Sequence, residues 1–282
     1  MPIAYIVDVE FLWGFQANVI GLSKTPPSFY YPPPTTFLGA LAEALAKHYR
    51  LGEEKGKELI LKISQNLLAI GVKPVNCFPI KYGDINRLVT IRRVGVKDKV
   101  TGRDKGILAP HPEYLEKSFD APARGKTILV PLDDDPPKLK WFIVLRESTL
   151  RLNDSTIELS YDVFWKIHRL GSKESRVSVV NVVETEDFTI GKGGGITNYS
   201  FPLLKGVTPE FAFSESWEYE IYVRPFGLKS YSEITDYIVG KNTLPYLIPL
   251  KKTMLQEPKY RVKLSEELAL YRVYEEAIVG YG

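Results

Sequence analysis

A single cysteine, Cys77, stands in a chain of 282 residues. One thiol closes no disulfide and builds no thiolate zinc cluster, which excludes the cysteine-stapled secreted domains and the common zinc modules. Set in VNCFPI, Cys77 is expected to be a small buried strand residue. Histidine is scarce as well. His48, His111 and His168 sit in unrelated contexts and form no H-x-x-x-H pair, so no metal site is expected. Net charge is almost missing: 37 Lys+Arg against 34 Asp+Glu leave only +3. Any basic footprint must then come from distribution, not from the total. No segment reaches about eighteen uninterrupted apolar residues, the length a membrane helix needs. The opening MPIAYIVDVEFLWGF lacks a basic region followed by a small-residue cleavage site. The expectation is a cytoplasmic protein. Few Cys, Met and Gln beside many Glu, Lys, Tyr and Pro lean towards a thermophile's composition.

What is present is an ordinary globular balance, 44% hydrophobic and 25% charged, in a length that suits one large domain or two smaller ones. Residues 3–12, IAYIVDVEFL, alternate as an opening strand. After a Pro- and Tyr-rich loop, Thr36 is placed to cap a helix with Phe37, Leu41, Leu45 and Tyr49 on its apolar face. A second helical pattern, Leu59, Ile60, Ile63, Leu67 and Ile70, is expected to end at Gly71. Strand-like text follows in VKPVNCFPIKY and RLVTIRRVGV, then in KTILVPL and LKWFIVLR around the acidic turn Asp133 to Asp135. Those three carboxylates, flanked by Pro136-Pro137, read as a solubilising turn and not as a metal site. YDVFWKIHR is a short helix or strand, WEYEIYVRPF a strand and SYSEITDYIVG a helix. The order predicts a mixed α+β sheet covered on one face rather than a doubly wound alternation. No fixed-period repeat or low-complexity tail occurs.

Four stretches carry candidate chemistry. From about Asp84 to Lys126 the chain is polar and broken by Gly and Pro, more irregular chain than a compact domain usually carries without a use. Its first half holds Arg87, Arg92, Arg93, Lys97, Lys99, Arg103 and Lys105 against Asp98 and Asp104, and VGVKDKVTGRDKGI reads as a hairpin with Thr101-Gly102 near its tip. This is a solvated hairpin or a basic finger laid along a phosphate backbone. In SKTPPSFYYPPPTTFLG, Phe29, Tyr30 and Tyr31 are stacking surfaces with Lys24 nearby, or packing that stiffens a long loop. GKGGG, Gly191 to Gly195, is neither a P-loop nor a dinucleotide fingerprint; Lys192 and Gly193 to Gly195 offer a backbone nest for an anion, or a flexible turn. In HRLGSKESRVSV, a Gly-Ser-Lys corner precedes an alternating strand through Val177 and Val179. It is a solvated turn or an oxyanion site. An acid–base set of His168 or His111 with Lys173 or Tyr31 is conceivable for RNA cleavage. No G-x-S-x-G nucleophile elbow is present.

The opening strand, YYPPPTTFLGALAEAL leading into the first helix, HRLGSKESRVSV and the later glycine-rich loop together resemble the Cas-five family, repeat-associated (RAMP) subunits of CRISPR type I Cascade complexes. The R-x-G-S-K-E-S run is most similar to the archaeal type I-A form. The resemblance covers most of the chain; the middle insert and the C-terminus match in general character. It implies a ferredoxin-like, RRM-like domain over 1–215 with a β-hairpin thumb at about 84–126, and a smaller β-rich C-terminal region, 216–282. It implies binding of the repeat-derived 5′ handle of the crRNA at the foot of the complex, without a cofactor. Partners would be a Cas-seven family backbone subunit, the large subunit and, indirectly, target DNA near the PAM. Arg169, Ser172 and Lys173 become handle contacts and Gly193 to Gly195 a close approach to RNA. The full candidate set is Lys24, Tyr30, Tyr31, Arg92, Arg93, Lys97, Lys99, His168, Arg169, Ser172, Lys173, Lys192, Gly193, Gly194 and Gly195. Some relatives of type I-C cleave repeat RNA through a Tyr/Lys/His arrangement, which has no clear counterpart here; in type I-A that work belongs to a Cas-six endonuclease. A non-catalytic handle binder is therefore expected. The alternatives are a metal-independent endoribonuclease and, more weakly, a phosphate-metabolite enzyme around GKGGG.

Overall fold

The computed structural model describes the chain apart from residues 18–26, 86–87, 90–91, 95–98, 103–105, 110–118, 121–122, 154, 214–216, 236–239 and 255. The architecture is mixed α+β and strand-rich, with several small antiparallel sheets and few helices. At its centre is a four-stranded sheet of Ile3–Phe11, Leu67–Pro74, Lys138–Leu145 and Val177–Thr185. The opening strand lies inside it, paired antiparallel with Lys138–Leu145 from Ile3↔Leu145 to Glu10↔Lys138 and with Val177–Thr185 on its other side. Leu67–Pro74 completes the sheet beyond Lys138–Leu145. By position in the chain the order across the sheet is fourth, first, third, second.

The period-two alternation of the opening strand sorts its side chains. Tyr5, Val7, Val9 and Phe11 join Trp141, Ile143 and Ile70 on one face, against Phe37, Leu41, Leu45, Leu59 and Ile63 of the helices Pro34–His48 and Glu53–Asn66. Ala4 and Ile6 face the other way, with Leu68, Phe142 and Val144. That second face is covered too, by Tyr199 and by Tyr271, Val273 and Ile278 of the hairpin Leu268–Val273/Glu276–Tyr281. The expectation of a sheet covered on one face is corrected: the C-terminal segment, unassigned from sequence, closes the other.

Two helix boundaries also differ from expectation. The first helix begins with Pro34 at its first position, where a missing N–H costs nothing, and Thr36 lies inside the first turn instead of capping it. The second helix stops at Asn66, and Leu67–Pro74 is a strand buried at every position. A run apolar on both faces carries no period to separate helix from strand. Gly71 does not cap a helix; a Cβ there would overlap the Ser200 carbonyl oxygen. Of SYSEITDYIVG, the helix described is Ser232–Thr235.

The strands either side of Asp133–Asp135, Ala123–Pro131 and Lys138–Leu145, enter different sheets. Ala123–Pro131 pairs with Gly14–Phe15 and with Cys77–Ile85, and Cys77 is buried as expected. In the C-terminal half, Gly194–Thr197, Tyr260–Leu264 and Val207–Ala212 make one three-stranded sheet, and Phe201–Pro202, Thr243–Pro249 and Trp217–Val223 another. Both ladders therefore cross position 215.

Candidate nucleic-acid interface

The HRLGSKESR stretch folds into a closed corner. The Leu170 N–H donates to the Ser175 carbonyl at 3.1 Å, the Ser175 N–H to the Ser172 carbonyl at 3.0 Å, and Arg169 bridges Arg176 across it. The corner is locked to the loop that leaves the opening strand. The Ser172 N–H donates to the Gln16 carbonyl at 3.1 Å, the Gln16 N–H donates to Ser175 Oγ at 2.9 Å, and Trp13 Nε1 donates to the Glu174 carbonyl at 3.0 Å. Ser175 is wholly buried. Gly171 has φ +118°, where L side chains rarely sit, and a Cβ would stand 2.7 Å from the Gln16 oxygen. Glycine and serine here build a docked corner, and the cations are left outside it.

Arg169 is half-buried and ion-paired with Glu43 at 3.1 Å. Burial raises the Glu43 pKa, but the Lys47 and Arg169 hydrogen bonds and charges outweigh it and hold the carboxyl below its ordinary range. The Lys173 side chain is 84% exposed, 3.8 Å from Glu174. Ser172 Oγ donates to Glu174 Oε2 at 2.8 Å. His168 Nδ1 lies 3.2 Å from the Lys166 carbonyl. Arg176, not among the candidates from sequence, is exposed and lines a shallow groove of about 310 Å³ with Leu12, Phe11 and Pro136. Its signal was available: it closes the same basic corner.

The arm that carries the basic stretch roots beside this corner. Gly14–Phe15 pairs with Ile128 and Thr127, and the Leu129 N–H donates to the Trp13 carbonyl at 3.1 Å. From there Cys77–Ile85 and Ala123–Pro131 run as an antiparallel ribbon, continued by Leu88–Val89 with Phe119–Asp120 and by Arg92–Val94 with Ile107–Ala109. Lys99 to Thr101 form a turn, and Gly102 beside them has φ +65°. The hairpin read from sequence is thus present as backbone. Lys99 is exposed at the turn. Lys24 and Lys97 lie outside the described residues, as does His111, and of Arg92 and Arg93 the strand alone is described.

The aromatic loop is built mainly for packing. Tyr31 is wholly buried and its hydroxyl donates to the Pro249 carbonyl at 2.6 Å. Burial holds that hydroxyl's pKa well above its ordinary value, and the enclosed ring has no face open for stacking. Tyr30 is half-buried; its N–H donates to Glu220 Oε1 at 2.8 Å, and Lys81 Nζ stands 3.5 Å from its ring centroid and 2.6 Å from Glu220. Burial outweighs the Lys81 charge and raises the Glu220 pKa.

The glycine-rich loop lies elsewhere. Thr189–Gly191 pairs with the hairpin strand Leu268–Val273, and Gly194–Thr197 with Tyr260–Leu264. Lys192 Nζ donates to the Glu266 carbonyl at 3.1 Å, and the Gly193 carbonyl accepts from Leu264 N–H at 3.1 Å. Gly194 and Gly195 have positive φ, and side chains there would meet the Val262 carbonyl and Arg272. The close approach these two glycines permit is to the chain's own strands. No described contact brings them to the Arg169 corner. Among the described residues no cluster of His, Cys, Asp and Glu could hold a metal, and no helix is long and apolar enough to cross a membrane.

No protein-family model matches the chain, and neither does any curated protein. Among solved structures, the chain is similar to a CRISPR protein from Archaeoglobus fulgidus, at 42% identity over 99% of this chain and 100% of that one, with a TM-score of 0.72.

Proposed function

This chain belongs to the family of that archaeal CRISPR protein, and we propose that within it the chain is a Cas-five-type, non-catalytic crRNA-binding subunit of a type I-A Cascade complex. It holds the repeat-derived 5′ handle and caps the foot of the backbone filament in antiviral defence in the cytoplasm. A Cas-seven family subunit packs against the arm, the large subunit docks nearby, and target DNA is met indirectly. The order fourth, first, third, second across an antiparallel sheet, with helices after the first strand, supports the ferredoxin-like, RRM-like reading of the domain.

The observation that carries the proposal is the locked corner. Gly171 and Ser175 fasten it to Gln16 while Lys173 and Arg176 stay in solvent, beside the root of an arm whose strand holds Arg92 and Arg93. A single-stranded handle is bound by cations on its phosphates and by hydrogen bonds to splayed base edges. Lys173 and Arg176 are the corner's cations open to phosphate, while Arg169 must first give up its half-buried pair with Glu43 to reach one. With about four phosphates neutralised, the logarithmic salt slope is roughly −3. The burial of Tyr31 counts against the cleaving alternative, since it removes one member of the acid–base set.

The test is one gel: end-labelled repeat RNA with its 5′ handle, in EDTA, beside a scrambled RNA, with and without the backbone subunit. A shift selective for the handle with intact RNA is expected, lost in Arg169→Ala/Lys173→Ala while the melting temperature holds. A discrete cut overturns the non-catalytic assignment, and equal shifts of both RNAs overturn handle recognition.

A further inference from the structure

The sheet of Gly194–Thr197, Tyr260–Leu264 and Val207–Ala212 has one face on the core and one turned outward. Strand alternation settles which residues lie where: Val262 and Leu264 are buried, so Lys259, Arg261 and Lys263 line the outer face, and all three are exposed. Register places Arg261 between Phe211 and Ile196, and Lys263 between Thr208 and Gly194. The Phe213 N–H donates to the Lys259 carbonyl at 2.9 Å, extending the ladder one step. Phe211 and Phe213 are 50% and 45% exposed, with ring centroids 4.6 Å apart. Among the described residues none of these three cations has a side-chain hydrogen bond or ion pair.

Past the Ile196 edge opens a cleft of about 430 Å³, lined by Asn198, Lys259, Arg272 and Tyr274, with Glu257, Glu275 and the Lys73-paired Glu276 as acids at its wall. Asn198 is 8% exposed, and its carboxamide oxygen accepts no hydrogen bond among the described residues. That oxygen is enclosed, so the cleft borders the face without adding a contact to it.

We propose that this face is a second binding surface, for single-stranded nucleic acid, separate from the corner and the arm. Bases stack on Phe211 and Phe213, and Arg261 and Lys263 take phosphates. Charge selects this occupant: Arg261 and Lys263 on the central strand and Lys259 just before it have no side-chain partner among the described residues, and they outnumber Glu210 in the adjoining bulge and Glu257 at the cleft wall. Flat aromatic surface interleaved with cations on an open sheet suits unpaired bases, which a duplex does not offer. The proposal does not rest on handle recognition.

Binding of fluorescein-labelled oligo(U) and oligo(dT), followed by anisotropy over a salt series, tests it. The background is the Arg169→Ala/Lys173→Ala variant, so a failed handle reading leaves the result interpretable. Arg261→Ala/Lys263→Ala should flatten the logarithmic salt slope by about 1.4, from about 0.7 per phosphate contact. Phe211→Leu/Phe213→Leu, which keeps apolar volume, should weaken binding roughly tenfold or more. Ultraviolet cross-links should map to 207–213 and 259–263. Binding of both oligomers supports stacking with phosphate contact; preference for oligo(U) supports it with a 2′-hydroxyl contact added. Unchanged affinity and slope in both variants, or cross-links confined elsewhere, overturn the proposal. So does loss of a protein partner with nucleic-acid binding untouched.

Discussion

Replacing Gly171 with alanine asks whether the corner is a built site or a passive turn. At φ +118° an L residue sits in a sparsely populated region, which costs about 1–3 kcal/mol. The new Cβ would stand 2.7 Å from the Gln16 carbonyl oxygen and 3.0 Å from Ser175 Oγ. Backbone oxygen cannot swing aside as a side chain can, and this one already accepts the Ser172 N–H at 3.1 Å. Relief of the clash therefore breaks that bond and the Gln16 N–H bond to Ser175 Oγ, each worth about 1 kcal/mol net. The total is about 3–5 kcal/mol, or about 10 °C in melting temperature for a chain of this size. Gly193→Ala is the matched control. Its φ is +79° with nothing within 4 Å of a Cβ, so it bears only the backbone cost, about 1 kcal/mol. Calorimetry and urea titration of the two variants give the comparison, and handle binding measured alongside should fall for Gly171→Ala alone. Equal melting temperatures for the two variants would refute the locked corner.

Tyr31→Phe should cost about 1 kcal/mol, the net worth of its 2.6 Å bond to the Pro249 carbonyl, and leave RNA affinity unchanged; a tenfold fall in affinity would show that the loop opens to present the ring. Glu276 accepts from Lys73 Nζ at 2.6 Å and from Lys140 Nζ at 3.2 Å. Burial raises its pKa, but the two ammonium groups outweigh burial and hold it below the ordinary value of 4.5. An acid whose folded pKa is depressed contributes stability above its unfolded pKa and loses it as pH falls through the folded one. Glu276→Gln should thus lose about 2 kcal/mol in urea titrations at neutral pH and show a shallower decline below the ordinary carboxylate range. A decline as steep as the parent's would exclude Glu276 as a source of acid lability.

The sequence carried the opening strand, the first helix and the basic hairpin because each has a one-sided pattern or a marked turn. Leu67 to Ile70 reads as helix because a strand buried on both faces shows no period, and Gly71 looks like a cap where it marks the approach of Ser200. At the corner, the residue types were legible and their division of labour was not. Gly171 and Ser175 meet Gln16 across more than 150 positions of chain, so no local pattern reveals that they hold the corner while Lys173 faces solvent. Tyr30 and Tyr31 illustrate the same limit. Adjacent and alike, they part company because Glu220 and Pro249 happen to lie on either side of them.

On the proposed function, the closed sheet constrains where nucleic acid can be met. In an RRM the bases stack on the sheet face away from the helices. Here the apolar part of that face, Ala4, Ile6, Phe142 and Val144, is packed beneath the C-terminal hairpin. Gly280 permits the contact, since a Cβ there would overlap the Leu68 carbonyl oxygen. The remainder of the face is charged but self-satisfied: Lys140 lies 3.6 Å from Asp8, Lys138 lies 3.3 Å from Glu10, and Glu276 ties Lys73 to Lys140. Cations already neutralised by partly buried carboxylates have little to offer a phosphate. On the proposed function, RNA would approach at the margins, at the arm and the Arg169 corner, or on the small outer sheet, where Lys259, Arg261 and Lys263 have no side-chain partner among the described residues.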